Sequence, residues 1–245
     1  MGDSQVLNQQ LAAAARSFQA ESGKQELMEK GFSIATEIID GCQLACVSIL
    51  HRGDVIDTPA ATNEKLRVLD ELQFTLNEGP CFDALWSGET VLSPDLAKDS
   101  RWPRWGPGVV AELGVASMLC YRLFTTGETI GALNLYSRSL DAFDADDIST
   151  GYYLAAHLAV AIAEAKTAEQ LHTAIGTRTA IGQAEGILME RFNLQPAQAF
   201  AVLTRISQDS NVRLHLVAAE LVRTRTLPVL AGDQPAHQRS RQARH

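Results

Sequence analysis

Strand-forming patterns stop well before the end of this chain. Between residues 171 and 227 no short β-branched or alternating apolar run remains, and every apolar repeat there has helical spacing. The preceding stretch mixes both kinds of pattern. A chain of 245 residues partitioned in this way divides into an α+β front part and an all-helical back part.

The front part opens with helical segments over 5–20 and 24–40, separated by Gly23 and stopped at Gly41. The run 44–50 reads as a strand, and His51, Arg52, Gly53 and Asp54 as a turn into a second strand near Val55 and Ile56. A helix is expected over 62–73, a loop over 77–80, a short helix over 81–86 ended by Gly88, and a short strand over 90–92. Residues 94–105 read as irregular, and a further helix closes at 112–114. The segments 117–125 and 129–137 form a hairpin around Thr126, Gly127 and Glu128, in which Gly131 allows a close backbone approach. A long helix starts near Asp144, where Asp144, Asp146 and Asp147 suit the positive end of the helix dipole. Ile148, Tyr152, Ala155, Ala159 and Ile162 repeat in steps of four and three, which predicts a homodimer seam along 148–170. The order of elements predicts an antiparallel sheet flanked by helices, the layout of PAS and GAF sensors.

In the back part a first helix ends near Arg191 and Phe192. Pro196 suits the first position of a second, with Ala199, Phe200, Leu203 and Ile206 as its apolar face and Phe200 and Leu203 in the core. Asn211 is placed to cap a third helix carrying Leu214, Val217, Ala218, Leu221 and Val222. Pro228 stops it, and 229–245 reads as a disordered basic tail.

Charge follows the same partition. The net charge is −8. Residues 171–245 hold nine arginines and five acids, or +4, which leaves 12 basic and 24 acidic residues, or −12, for the rest. An acidic front joined to an arginine-rich back binds a polyanion through one end only.

The segment 178–191, RTAIGQAEGILMER, resembles the first helix of the ANTAR family. The resemblance continues through Ala199, Phe200, Leu203, Ser207, Asn211, Leu214, Val217, Ala218 and Val222, and covers about 171–227. It implies a three-helix module that binds paired hairpin loops of nascent RNA, prevents transcription termination and acts as a dimer. Many members carry a lysine where this chain has Glu185, a carboxylate that would repel phosphate. The front part resembles a GAF domain over about 25–165, through NEGPC at 77–81, Asp95, Leu96 and Asp99, RWP at 101–103 and IGALNLY at 130–136. The implied domains are a GAF-like sensor over 1–165 and an ANTAR module over 166–228, followed by the tail.

Arginine meets phosphate through a planar fork that binds two oxygens, so Arg178 and Arg191 are the first candidates for RNA contact. Arg205, Arg213 and Arg223 follow, with Gln183 as a reader of base edges. Cys81, Trp86, Trp102 and Tyr121 are the candidates to line a ligand pocket in the front part, open to a small-molecule or protein signal. Two other readings compete: a ligand-sensing interaction or dimerisation module without RNA binding, and a DNA-binding helix-turn-helix over 195–225. A redox enzyme built on Cys81 is a third. No phosphate-binding loop, metal-ligand spacing or catalytic triad order stands out, so neither enzyme activity nor a metal or cofactor is expected. The four cysteines are too few for a disulfide scaffold, and no apolar run approaches the ~18 residues of a membrane span, which together favour a cytoplasmic protein.

Overall fold

The computed structural model describes residues 2–21, 23–88 and 90–227. The tail expected over 229–245, with Arg239, Arg241 and Arg244, lies outside them, as does Pro228. The chain divides into two compact units, Met1–Thr167 and Ala168–His245.

The first unit is built on a five-stranded antiparallel sheet in the order β2-β1-β5-β4-β3. Two helices precede it, α1 (Gly2–Ala20) and α2 (Lys24–Ile38). β1 (Leu44–Leu50) turns through Gly53 and Asp54, both with positive φ, into β2 (Ile56–Ala61). Pro59 sits in β2, an edge strand, where a missing N–H is tolerated. Next come α3 (Glu64–Leu76), α4 (Pro80–Ser87) and the three-residue β3 (Val91–Ser93). The helix expected to close at 112–114 is α5 (Trp105–Leu113), which ends on Gly114 in the left-handed conformation. β4 (Ser117–Phe124) and β5 (Thr129–Ser137) form the hairpin.

Side chains alternate between two buried faces. Ala45 and Val47 of β1, with Leu119, Tyr121, Leu133 and Leu135, join α1, α2 and the front of the long helix in one core. Cys46, Met118, Cys120 and Tyr136 point the other way, into a core shared with α3, α4 and α5. β1 and β5 meet in the centre with Ser48 opposite Ala132 and Ile49 opposite Gly131. A Cβ on Gly131 would overlap the Ser48 carbonyl oxygen, so the close approach expected from sequence is required there.

The long helix, α6, runs unbroken over Ala145–Phe192. Its start is fixed as the acidic cluster suggests: Asp144 Oδ1 accepts from the backbone N–H of Asp146 and Asp147 at 2.8 and 2.9 Å. The stripe read as a dimer seam is a correction. Ala155, Ala159 and Ile162 are buried in the unit's own core against the sheet, and Tyr152 is exposed. A four-three repeat marks an apolar face, and here that face packs on the sheet of the same chain.

In the second unit α7 (Pro196–Ser210) and α8 (Leu214–Thr224) pack with the end of α6 around Ala184, Leu188, Ala199, Leu203, Ile206, Val217, Ala218 and Leu221. Two expectations are overturned. Phe200 is 45% exposed, because Ala199, Leu203 and Ile206 carry the inward stripe and Phe200 lies one step round the helix. Asn211 does not cap α8 but ends α7, in the left-handed conformation at φ 52°. Arg213 occupies the N-cap of α8 without a side-chain bond.

Candidate functional site

Of the six candidates in the second unit, Gln183 and Arg191 come together at the end of α6. Gln183, Gly186, Ile187, Glu190 and Arg191 recur at i, i+3, i+4, i+7 and i+8, one helical face. Together with Val222 and Arg225 they border an open cavity of about 480 Å³. Arg191 Nη1 donates to the Arg225 carbonyl at 2.7 Å, tying the end of α6 to the end of α8. Sequence reasoning misses Arg225, because its place beside Arg191 depends on how α8 folds back. Arg178 is exposed thirteen residues before Arg191. On one helix that is ~20 Å along the axis and roughly 140° around it, so the two do not share a face.

The remaining candidates differ in how much of their charge is free. Arg223 donates to Glu220 through Nε and Nη2 at 3.0 and 2.6 Å, and this carboxylate raises its pKa. Arg205 lies 3.6 Å from Asp209. Arg213 is exposed at the start of α8 and, like Arg178, has no acidic partner among the described residues. Exposed pairs of this kind contribute little to stability and exchange readily for phosphate. Two exposed aromatic rings, Phe192 at 50% and Phe200, lie on the same unit.

Of the four pocket candidates of the first unit, Cys81 and Trp102 share one core, Tyr121 lies in the other, and Trp86 is exposed. Cys81 is fully buried, its N–H donating to Gln73 Oε1 at 2.9 Å and its thiol to Ser48 Oγ at 3.5 Å. Trp102 is buried edge-on against Trp105, and its Nε1 donates to Asp83 Oδ2 at 2.8 Å. Trp86 is 51% exposed and stacks on Phe82. Tyr121 is buried, donates to the Ile148 carbonyl at 2.8 Å, and borders a cavity.

The family-like motifs act as scaffolding. Glu78 of NEGPC accepts from Arg104 Nε at 2.5 Å and from the N–H groups of Arg104 and Trp105, and these bonds hold its carboxyl below the usual range. Asp99 accepts from Arg101 and Ser93, and the guanidinium in particular lowers its pKa. Between the sheet and α3 the space is taken by a polar cluster that sequence reasoning misses. Asp70, fully buried, accepts from Ser48, Thr58, Gln73, Asn134 and Tyr136 at 2.5 to 3.1 Å. Burial pushes its pKa up against the pull of those hydrogen bonds. Burial also pushes the Cys42 thiol up to about 12 and the Cys46 and Cys120 thiols well above their ordinary value, which disfavours thiolate chemistry there.

Among the described residues no helix is long and apolar enough to cross a membrane. A family model described as GAF domain matches residues 21–163, and one described as ANTAR domain matches residues 169–222. Among solved structures, the chain is similar to the GAF domain of a phosphoenolpyruvate-protein phosphotransferase from Coxiella burnetii, at 17% identity and a TM-score of 0.54, covering 67% of this chain and 96% of that one. It is also similar to the corresponding domain from Acinetobacter, at 15% identity and 0.53, covering 68% and 97%. Free methionine-R-sulfoxide reductase from Neisseria meningitidis matches at 18% and 0.53, covering 66% and 91%. At such identities these likenesses show the fold alone. No curated protein matches the chain. The first model spans more than half of the sequence and the second follows directly after it, so the chain belongs to the GAF domain family, as a GAF-ANTAR protein with a sensor domain and an RNA-binding antitermination domain.

Proposed function

We propose that this protein is a signal-responsive regulator that binds paired hairpin loops in nascent transcripts and prevents transcription termination. It works in the cytoplasm, as a homodimer, through binding and not catalysis. The observation that carries the reading is the placement of Gln183, Arg191 and Arg225 around one open cavity, with Arg178 exposed on the same helix, in the only net-positive part of an acidic chain. Phosphate contacts supply the affinity, and exposed base edges and ring faces supply the choice of loop.

Because Arg178 and Arg191 face different ways, one small loop does not meet both on the same helix. Two loops, or two protomers, fit the arrangement. Binding isotherms with a two-hairpin RNA between about 50 and 200 mM salt test it. Arg178→Ala and Arg191→Ala each lower affinity and flatten the salt slope by about 0.7–0.9 for every phosphate left unneutralised. Since Arg191 also holds the end of α8, circular dichroism of that variant accompanies the isotherms. Unchanged affinity and slope in both variants would remove these arginines from the site and transfer the role to Arg205, Arg213 and Arg223.

A further inference from the structure

β3 pairs only with Met118, Leu119 and Cys120 of β4, so the later residues of β4 lie on an open edge of the sheet. A cavity of about 510 Å³ lies against that edge, within the ~300–1,000 Å³ of small-molecule sites. Tyr152, Ala156 and Val160 of α6 supply an apolar wall; Arg122, Thr90, Thr125 and Thr126 are its polar residues. It lies apart from the Asp70 cluster, which fills the space beneath α3.

Arg122 gives the cavity its chemistry. Three buried side-chain polar atoms among the described residues have no hydrogen-bond partner, and Arg122 Nε is one. No described carboxylate pairs with its guanidinium. Its Cζ lies over the ring of Phe124, 4.7 Å from the centroid, a cation–π contact. Such a contact supplies no acceptor oxygen, so the guanidinium keeps its hydrogen-bond donors for a ligand. Nε is enclosed, so the fork that a carboxylate meets with both oxygens is formed by the two Nη groups at the tip of the side chain. Room for the guanidinium depends on Gly88, where a Cβ would stand 3.1 Å from Arg122 Cζ. The Tyr121 hydroxyl is already used on the Ile148 carbonyl. A partly buried cation against an apolar wall is a costly arrangement until an anion joins it.

We infer that this cavity binds a small carboxylic acid with an apolar, ring-sized body, its carboxylate on Arg122 and its body against Tyr152, Ala156 and Val160. The inference rests on the reading of the GAF domain as a sensor and gives that sensor a site and a ligand class. The ligand touches α6, the helix that runs on to Phe192.

Titration calorimetry of the full chain with benzoate, phenylacetate and hexanoate, each beside its neutral amide, tests it without RNA. At least one acid binds, and its amide binds about tenfold more weakly or worse, because the amide forfeits a charge-assisted pair. Arg122→Gln lowers affinity for the acid at least about tenfold and leaves the amide unchanged. Ala156→Phe, at an exposed position, fills the cavity and abolishes binding of both. Absence of binding by all three acids at millimolar concentration overturns the inference, as does equal binding of acid and amide, or binding that survives in both variants. If light scattering shows a dimer that Ala156→Phe dissociates and no acid binds, a second copy of the chain covers the cavity, and the inference is likewise overturned. RNA binding is measured separately, so a failed acid titration with intact RNA binding sinks the ligand site alone. Acid binding without RNA binding sinks the proposed function alone.

Discussion

Asp70 receives five side-chain donors, none of them from a lysine or arginine. Its folded pKa is raised by burial. The folded state therefore keeps a proton that the unfolded state has already lost. The resulting stability is fully present below the ordinary carboxylate value of about 4 and is lost as pH rises through the raised value. Asp70→Asn turns an amide N–H₂ toward one of those donors and is expected to cost about 2–4 kcal/mol, the range for breaking a buried network. Urea melts should show the gap between wild type and variant widest near pH 4 and narrower near pH 7.5. A gap that widens with pH would mean that the donors hold the carboxylate ionised. Nothing in the sequence marks Asp70, since a lone aspartate in a helix reads as surface until its partners from β1, β2 and β5 are placed around it. Phe200 shows the opposite error. Its apolarity assigns it to the core, and only the packing of Ala199 turns it outward. An exposed ring on an RNA-binding unit is suited to stacking on a base, a contact of about 1–3 kcal/mol. Phe200→Ala should weaken RNA binding within that range and leave the melting temperature nearly unchanged. A large stability loss with normal RNA binding would return the residue to a packing role.

At the scale of elements, α6 shows what periodicity can and cannot settle. The sequence pattern identifies its start, its capping aspartates and its apolar face. It cannot identify what that face meets, because a sheet in the same chain and a helix in another both require the same spacing. Ala159 is 1% exposed within the first core. Ala159→Asp therefore unfolds the sensor domain, at about 3 kcal/mol or more for an unpaired buried charge, and is not a test of dimerisation. Tyr153, Leu171 and Ile175 are exposed apolar residues of the same helix. If the proposed homodimer meets along them, Leu171→Asp should give a monomer by light scattering with a melting temperature close to wild type. A dimer that persists in Leu171→Asp would place the interface elsewhere. Asn211 is ambiguous for a related reason: asparagine both caps helix starts and adopts the left-handed conformation that ends helices. Here α3 and α7 both end on such an asparagine, Asn77 and Asn211.

For the molecule as a whole, the partition into an α+β front and a helical back is legible because it needs only local patterns and a count of charges. The open edge of the sheet and its cavity are not, because they follow from β3 beginning only at Val91, opposite Cys120. Among the described residues the second unit has its own core of eight buried side chains, small for independent stability. A fragment of residues 166–245 is expected to show a helical far-ultraviolet spectrum and to melt below the full chain's sensor domain; a random-coil spectrum would show that the helices need the rest of the chain. The first unit faces a different constraint, one of timing. Ser48 pairs with Ala132, so the centre of its sheet joins strands eighty-four positions apart. On a ribosome adding about 5–20 residues per second, β1 waits about 4 to 17 s for its partner to be made. Gly131 gives that late arrival a single seat. A slip of one residue would set the Cβ of Ile130 or Ala132 against the Ser48 carbonyl, so a misaligned strand finds the position already blocked.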